Sequence, residues 1–280
     1  MKVHHLNCAT MRPYGGRLVS GTGSVFGKAE MICHCLLIET GGGLVLVDSG
    51  LGTGDVADPD RTLNRRWQQM CRPVLDESET AVRQIERMGY AAGDVRHVVL
   101  THLDLDHAGG LRDFPDAKVH VLAQELAAAR SASTPAERTR YPRGQWEHGP
   151  DWVTHEPDGG EEWFGFQAVR DLAGVPEEIL LVPLIGHTRG HTGVAVRTGD
   201  RWLLHAGDAY FFHGEMAPDP HCTPVLRMMQ RRVETLRELR LANQDRLREL
   251  VRSHGDKVDV FSAHDAVELR RLEGQEVDAG

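Results

Sequence analysis

The chain has 280 residues, a length that fits one large domain or two small ones, and 40% of them are hydrophobic, enough for a buried core. Its formal charge is −9 with acidic residues spread along the chain, so the sequence shows no basic stripe for nucleic-acid phosphates, and a nucleic-acid partner is disfavoured. The first residues are too polar for a signal-peptide core and no apolar run reaches transmembrane length, so we expect a cytoplasmic protein without a membrane partner.

In chain order, the first predicted elements are two strands of a hairpin in "CHCLLIETGGGLVLVDSG", joined by a glycine turn. A helix follows from Asp76 to Met88, because apolar residues recur at helical spacing, acidic residues fill the first turn and Gly89 stops it. "VRHVVLTH" and "AKVHVLA" are predicted strands, and a short helix is predicted from Gln124 to Arg130.

Residues 131–165 differ in character, with prolines, glycines and three tryptophans but no clear period. A stretch this long and aromatic is typical of an insertion that forms a lid, a pocket wall or a subunit interface. An interface would make a homodimer.

Beyond this insertion, strands are predicted at "EILLVPLI", "VAVRT" and "RWLLHAG", then one long helix from Val225 to about Val251, and a last strand in "KVDVFSAHD". Interleaved strands and helices with hairpins in each half favour an α/β fold, in which two packed sheets carry helices on the outside of a single domain spanning 1–280.

The five cysteines are scattered and odd in number, which predicts free thiols in a reducing compartment. Cys33 and Cys35 share one face of the first hairpin strand, and we interpret them as small buried hydrophobic residues.

The segment "THLDLDHAGG" at 101–110 places four metal-capable side chains on ten residues. His102 and Asp104 alternate as the chain leaves a strand, so their side chains point the same way, and Asp106 and His107 follow where small residues permit a tight turn. Imidazole and carboxylate ligands suit zinc, iron, manganese or cobalt, whereas Asp106 alone would equally suit a helix cap.

Further candidates each follow an apolar, strand-like run: His187 and His191 in "GHTRGHTG", Asp208 in "LLHAGDAYF" and His264 in "FSAHDA". Ligands gathered from the ends of several strands are what a rigid metal site requires.

Together with "LVDSG" at 46–50, these motifs occur in the order and rough spacing of the metallo-β-lactamase-fold superfamily of metallohydrolases, which the chain resembles from about Ile32 to Asp265. The resemblance is closest to the lactonase-like branch, with an HxDxDH variant of the metal motif. It implies an αββα sandwich of two mixed β-sheets flanked by helices, with a dinuclear metal centre at one edge.

The resemblance also implies a role for each matching position. His102, Asp104 and His187 would hold one metal, Asp106, His107 and His264 the second, and Asp208 would bridge the two. His191 and Asp48 would orient ligands, or make simple structural hydrogen bonds. Six histidines that match no family position are interpreted as ordinary strand or surface residues: His4, His5, His34, His97, His120 and His205.

Position 104 departs from the commonest family pattern, which has histidine there. Aspartate is an anion and a harder ligand, so it should make the metals weaker Lewis acids and favour iron or manganese relative to zinc. We expect two divalent metal ions, with Zn²⁺ preferred and Fe or Mn as alternatives. The competing hypothesis is that Asp104 weakens the first site and leaves one metal or none.

The implied reaction is hydrolysis of a small-molecule lactone or ester by a metal-bridging hydroxide. Asp106 would position the hydroxide and relay a proton, and Tyr210 would hydrogen-bond the oxyanion or leaving group unless it is a packed aromatic residue. The segment "LGTGDVADPDRTLNRRWQQM" resembles the insertion near the lactonase substrate entrance. Four tryptophans are candidates for one apolar pocket for an acyl chain: Trp67, Trp146, Trp152 and Trp163.

Alternatives remain open. A thioesterase similar to glyoxalase II uses a related metal set but usually needs a basic patch for the carboxylates of glutathione, and the sequence shows no such cluster. A β-lactamase is disfavoured because those enzymes are exported, whereas the first residues here are too polar for a signal-peptide core. Iron-dependent oxygen chemistry, or a binding protein with an altered metal site, would follow if Asp104 changes what the centre holds.

Overall fold

The computed structural model describes residues 1–132, 134–157 and 160–274. Ser133, Asp158 and Gly159, which belong to the predicted insertion at 131–165, lie outside the described residues. The strands are β1 Lys2–Met11, β2 Met31–Thr40, β3 Gly43–Val47, β4 Val95–Val99, β5 Lys118–Leu122, β6 Asp151–His155, β7 Glu161–Trp163, β8 Phe166–Ala168, β9 Ile179–Pro183, β10 Thr192–Thr198, β11 Arg201–His205 and β12 Val258–Phe261.

Two mixed sheets organise the strands. In the first, β1 to β6 lie in sequence order, antiparallel from β1 to β3 and parallel from β3 to β6. In the second the order is β12-β11-β10-β9, with only β11 and β12 parallel. The β7–β8 hairpin continues towards β9 through a bridge between Val169 and Leu181.

Helices lie on the outer faces of both sheets. None of them, within the described residues, is both long enough and apolar enough to cross a bilayer. They are α1 Arg17–Ser20, α2 Thr53–Ala57, α3 Pro59–Thr62, α4 Arg65–Cys71, α5 Ala81–Arg87, α6 Leu105–Ala108, α7 Ala123–Arg130, α8 Pro135–Arg140, α9 Pro224–Val233, α10 Arg237–His254 and α11 Ala266–Leu272.

Consecutive residues of the central strands are buried, as in β2 and β9, so both faces of each sheet are covered there. One cluster lies between the sheets, where residues such as Ile38 and Val47 pack with Leu181 and Val194. A second joins the outer face of the first sheet to α5 and α7, and a third joins the second sheet to Leu247 and other residues of α10. Each fully buried aliphatic side chain contributes about 1.5–3 kcal/mol of transfer free energy. This layering confirms the predicted αββα sandwich.

The predicted long helix from Val225 to Val251 is wrong in one respect, because the chain breaks it into α9 and α10. At the break, the backbone N–H of Thr235 donates to the carbonyl oxygens of Gly186 and His187, 3.1 and 3.0 Å away. Gly186 has φ of +153°, and a Cβ there would lie 2.4 Å from the backbone nitrogen of Arg240. The interruption therefore lets the helix pair dock against the loop that carries His187.

The segment 131–165 contains regular structure that its composition did not predict. It forms α8, and its β6 pairs in parallel with β5 at the edge of the first sheet.

The tryptophans do not share one pocket, so that part of the acyl-pocket prediction is wrong. Trp146 and Trp152 contact each other and pack on the helix-covered face of the first sheet. Trp163 is buried against the second sheet, and Trp67 packs in a separate cluster with Leu63 and Cys71. Aromatic character grouped these residues in the prediction, whereas the structure places them in three separate clusters.

Candidate metal centre

The predicted ligand residues meet at one edge of the sandwich. β9, β11 and β12 run in the same direction, and the loops at their carboxyl ends carry His187, Asp208 and His264. The loop after β4 in the other sheet, with the short α6, carries the residues of the opening motif. Strand ends of both sheets thus deliver side chains to a common point.

One half of the cluster contains His102, Asp104, His187 and Asp208, whose ligand atoms all lie within 4.8 Å of one another. The Nε2 atom of His187 lies 3.0 Å from Asp104 Oδ2 and 3.3 Å from Asp208 Oδ2. The Nε2 atom of His102 lies 3.5 Å from the same oxygen of Asp104. These four groups surround one point.

The other half contains His107, His264 and again Asp208. Here the Oδ1 atom of Asp208 faces the rings, at 3.3 Å from His107 Nε2 and 3.1 Å from His264 Nε2. The Oδ2 atom of Asp106 lies 3.8 Å from His264 Nε2. Asp208 therefore offers one oxygen to each half of the cluster.

Several buried polar atoms at this point have no hydrogen-bond partner: His102 Nε2, His107 Nε2 and Asp208 Oδ1. Buried polar atoms are nearly always satisfied in folded proteins, so such a group needs a reason. Imidazole nitrogens and carboxylate oxygens are ligands for divalent transition metals. The fold family implies divalent cations, and the donors present fit a pair of them.

Asp48 fixes the orientation of His107. Its carboxylate accepts hydrogen bonds from Thr101 N and Oγ1, at 2.7 and 2.8 Å, and from His107 Nδ1 at 2.8 Å. His107 therefore turns its Nε2 towards Asp208. A carboxylate behind a ligating imidazole sets the tautomer and raises the basicity of the ring.

His191 lies beside the cluster but uses both ring nitrogens within the protein. Its Nδ1 donates to the Leu184 carbonyl at 2.9 Å, and its Nε2 accepts from the backbone N–H of Asp208 at 2.9 Å. It therefore holds the Asp208 loop in place. Similarly, His264 Nδ1 donates to the Ile32 carbonyl at 2.8 Å and leaves Nε2 facing the cluster.

Sequence reasoning missed Glu125, a fully buried carboxylate in the first turn of α7. It accepts hydrogen bonds from the backbone N–H of Leu103 and Gly190, each 3.0 Å away, and from the Thr188 hydroxyl at 2.6 Å. It thus joins the 101–110 loop to the 187–191 loop. Nothing in the local sequence distinguishes it from an ordinary helix residue.

Burial and neighbouring charges set the protonation of the cluster. Burial, followed by the adjacent charge of His107, lowers the pKa of His102 to about 4, so this ring is neutral near pH 7 with a lone pair available. Burial opposes ionisation of Asp208, but the rings of His264, His107 and His187 outweigh it and hold its pKa well below the usual range. His102 therefore offers a neutral nitrogen and Asp208 an anionic carboxylate. Burial opposes protonation of His107 and His264, but the charge of Asp208 outweighs it and raises the pKa of both rings well above the usual value.

Tyr210 is fully buried among core residues, and its hydroxyl donates to Glu268 Oε1 at 2.8 Å. This contact corrects the predicted catalytic role and agrees with the alternative of a packed aromatic residue.

The cysteines are free thiols, as predicted, within the described residues. Cys33 is buried, yet its sulfur also lies with Asp106 and His264 in a group of potential ligand atoms, which the strand pattern did not indicate.

A groove of about 480 Å³ lies beside the N-terminal strand and α4. Four basic side chains line it, although the sequence showed no basic cluster: Arg12, Lys28, Arg65 and Arg72. Arg72, which lines the groove, directly follows the buried Cys71 at the end of α4. Residues distant in the chain create this positive surface.

The fold and the cluster define a class of metal-dependent hydrolases, and comparison with known families agrees. The sequence profile of the metallo-beta-lactamase superfamily matches residues 29–253. The chain belongs to this superfamily.

Curated relatives are metallohydrolases and lactonases. The chain is 44% identical to a "probable metallo-hydrolase" of Mycobacterium tuberculosis over 95% of its own length and 80% of the relative's. It is 29% identical to the N-acyl homoserine lactonase AttM of Rhizobium radiobacter, over 58% of each chain.

Solved structures show the same fold. An N-acyl homoserine lactone hydrolase with the product N-hexanoyl-L-homoserine at its catalytic metal centre superposes with a TM-score of 0.71 at 19% identity, covering 100% of this chain and 98% of that chain. A probable metal-dependent hydrolase from Staphylococcus aureus superposes at 0.67 and 16% identity, covering 94% and 89% of the two chains.

Proposed function

We propose that the protein is a hydrolase that opens a lactone or cleaves a small ester at a pair of divalent metal ions, with Zn²⁺ preferred. The observation that supports this most directly is the position of the Asp208 carboxylate, whose two oxygens face separate groups of buried imidazoles. A carboxylate in that position suits a bridging role. The similarity to lactonases supports the choice of lactone.

The ligands we assign are those that the family pattern predicted. They are His102, Asp104 and His187 at the first ion, Asp106, His107 and His264 at the second, and Asp208 between them. When bound, the ions polarise the scissile carbonyl and lower the pKa of a water molecule that attacks it.

The protein's own residues would position that reaction. Asp106 accepts no hydrogen bond from the described residues, so its carboxylate is available to orient the attacking water and to take up a proton. Asp48 and His191 hold His107 and the Asp208 loop rigid, which keeps the donors at fixed separations. Cytoplasmic location and a homodimer stay predictions from the sequence.

The test is turnover by metal-loaded protein of N-acyl homoserine lactones, simple lactones and aryl esters. We expect hydrolysis of at least one lactone, abolished by a chelator and restored by added zinc. Absence of turnover of every compound by protein that contains two ions per chain would contradict the proposal.

A second candidate, thioester hydrolysis on an anionic substrate, is favoured by the groove of Arg12, Lys28, Arg65 and Arg72. If it is correct, a glutathione thioester should be cleaved faster than a neutral thioester. Replacing Lys28 by Met should raise KM for the glutathione compound and leave the KM for neutral lactones unchanged.

A further inference from the structure

Asp104 has a charged partner that lies outside the histidine–aspartate cluster. Arg140, the last residue of α8, places its Nε atom 3.4 Å from Asp104 Oδ1. The other carboxylate oxygen, Oδ2, faces His187 at 3.0 Å. The two oxygens of Asp104 therefore divide between the cluster and the arginine.

Arg140 is held firmly where it meets Asp104. Its Nη1 donates to the His187 carbonyl at 3.0 Å and its Nη2 donates to the Val233 carbonyl. Only 12% of the Arg140 side chain and 15% of the Asp104 side chain are exposed. Because the guanidinium is planar and permanently charged, it forms a fixed positive charge at this side of the centre.

A buried carboxylate and a buried guanidinium each carry a large desolvation cost when unpaired. The pair as a whole is neutral. Its net charge is the same as that of the neutral histidine that the commonest family pattern has at position 104.

We propose that Asp104 and Arg140 act as one neutral unit in place of that histidine, with Arg140 as the positioning residue and fixed counter-charge of Asp104. The unit cancels the extra negative charge that the sequence alone assigns to this centre. With this charge cancelled, Asp104 no longer weakens the Lewis acidity of the metals or shifts their preference towards iron or manganese. The inference rests on the proposed metal centre and is independent of the substrate.

The sharpest test replaces Asp104 by the histidine of the family. In Asp104→His the charge of Arg140 is left uncompensated beside two dications, so the affinity for zinc should fall by roughly 10- to 100-fold. Removing the charge as well, in Asp104→His with Arg140→Met, should restore the affinity to within about threefold of the parent protein. Metal content and chelator competition measure both values without an activity assay.

The single variants and a matched control complete the cycle. Arg140→Met alone should keep metal binding, because the centre only becomes more negative. Arg143→Met removes an exposed arginine three residues further along the same segment, and in the Asp104→His background it should restore nothing.

Several results would overturn the inference. These are unchanged zinc affinity in Asp104→His, no recovery on adding Arg140→Met, equal recovery with Arg143→Met, or loss of metal from folded Arg140→Met. Thermal melts of metal-free protein report folding, and Asp104→Asn replaces Asp104→His, with the same expected order, if the latter does not fold. If the parent protein itself binds no metal, the proposed function fails together with this inference. If the parent binds metal and the cycle shows no coupling, only the inference fails.

Discussion

Two regions of the molecule are rich in histidine and differ in what their ring nitrogens meet. Across β4, β5 and β6, His97, His120 and His155 form a row in which the rings hydrogen-bond to one another, at 2.9 and 3.0 Å. In the candidate metal centre, the rings of His102 and His107 instead turn unpartnered nitrogens towards carboxylates. Histidine content alone therefore does not mark a site; histidines with carboxylates and unsatisfied atoms do.

The largest predicted effect is on metal content, and it should distinguish the candidate metal centre from the histidine row. Asp208→Ala removes the carboxylate that faces four imidazoles. We expect metal content below half that of the parent and activity lower by more than about 100-fold. This loss exceeds the roughly 10- to 100-fold that is typical when a residue that only hydrogen-bonds to a ligand is removed. His120→Asn in the row should keep the full metal content. Elemental analysis of both proteins decides it, and metal loss in His120→Asn would break the distinction.

A smaller effect should come from Asp48→Asn. The amide cannot serve as the anionic partner of His107 Nδ1, so the ring loses its fixed tautomer while the ligand itself remains. We expect zinc affinity to fall by roughly 10- to 100-fold, measured by chelator competition. Affinity equal to that of the parent would mean that Asp48 has only a structural hydrogen bond, which was the alternative from the sequence.

The smallest effect concerns acid stability. Burial, then the neighbouring His155 and His97, lowers the pKa of His120 to about 3, below its value of about 6.5 in an unfolded chain. The folded state therefore resists protonation there, and the stability from this residue is complete above about pH 6.5 and is lost as the pH falls towards 3.

Replacing His120 by Asn should therefore flatten the loss of stability between pH 6 and 4, by at most about 1.4 kcal/mol per pH unit. Urea unfolding of metal-free protein at several pH values measures this difference. If the unfolding free energy of the parent and of His120→Asn changed equally with pH, His120 would not take up a proton on unfolding.

Much of the fold could be predicted from the sequence because it depends on local patterns. Alternating apolar residues defined β2, β3 and β5, and the strand ends carried the metal motifs in a recognisable order. Apolar residues at helical spacing were equally clear from Val225 onward, but this spacing did not reveal the break between α9 and α10 at Thr235. That break exists because the backbone there is needed to hold the loop of Gly186 and His187.

The sequence by itself indicated two packed sheets, since periodicity fixes which face of an element is buried. The resemblance of its motifs to the superfamily predicted the αββα arrangement and the set of side chains that converge at its edge. Only the tertiary structure decided which elements meet. It paired Asp104 with Arg140 from 36 residues later, joined two loops through Glu125, gathered four basic residues into one groove and separated the tryptophans. These contacts link distant parts of the chain, and no local spacing encodes them.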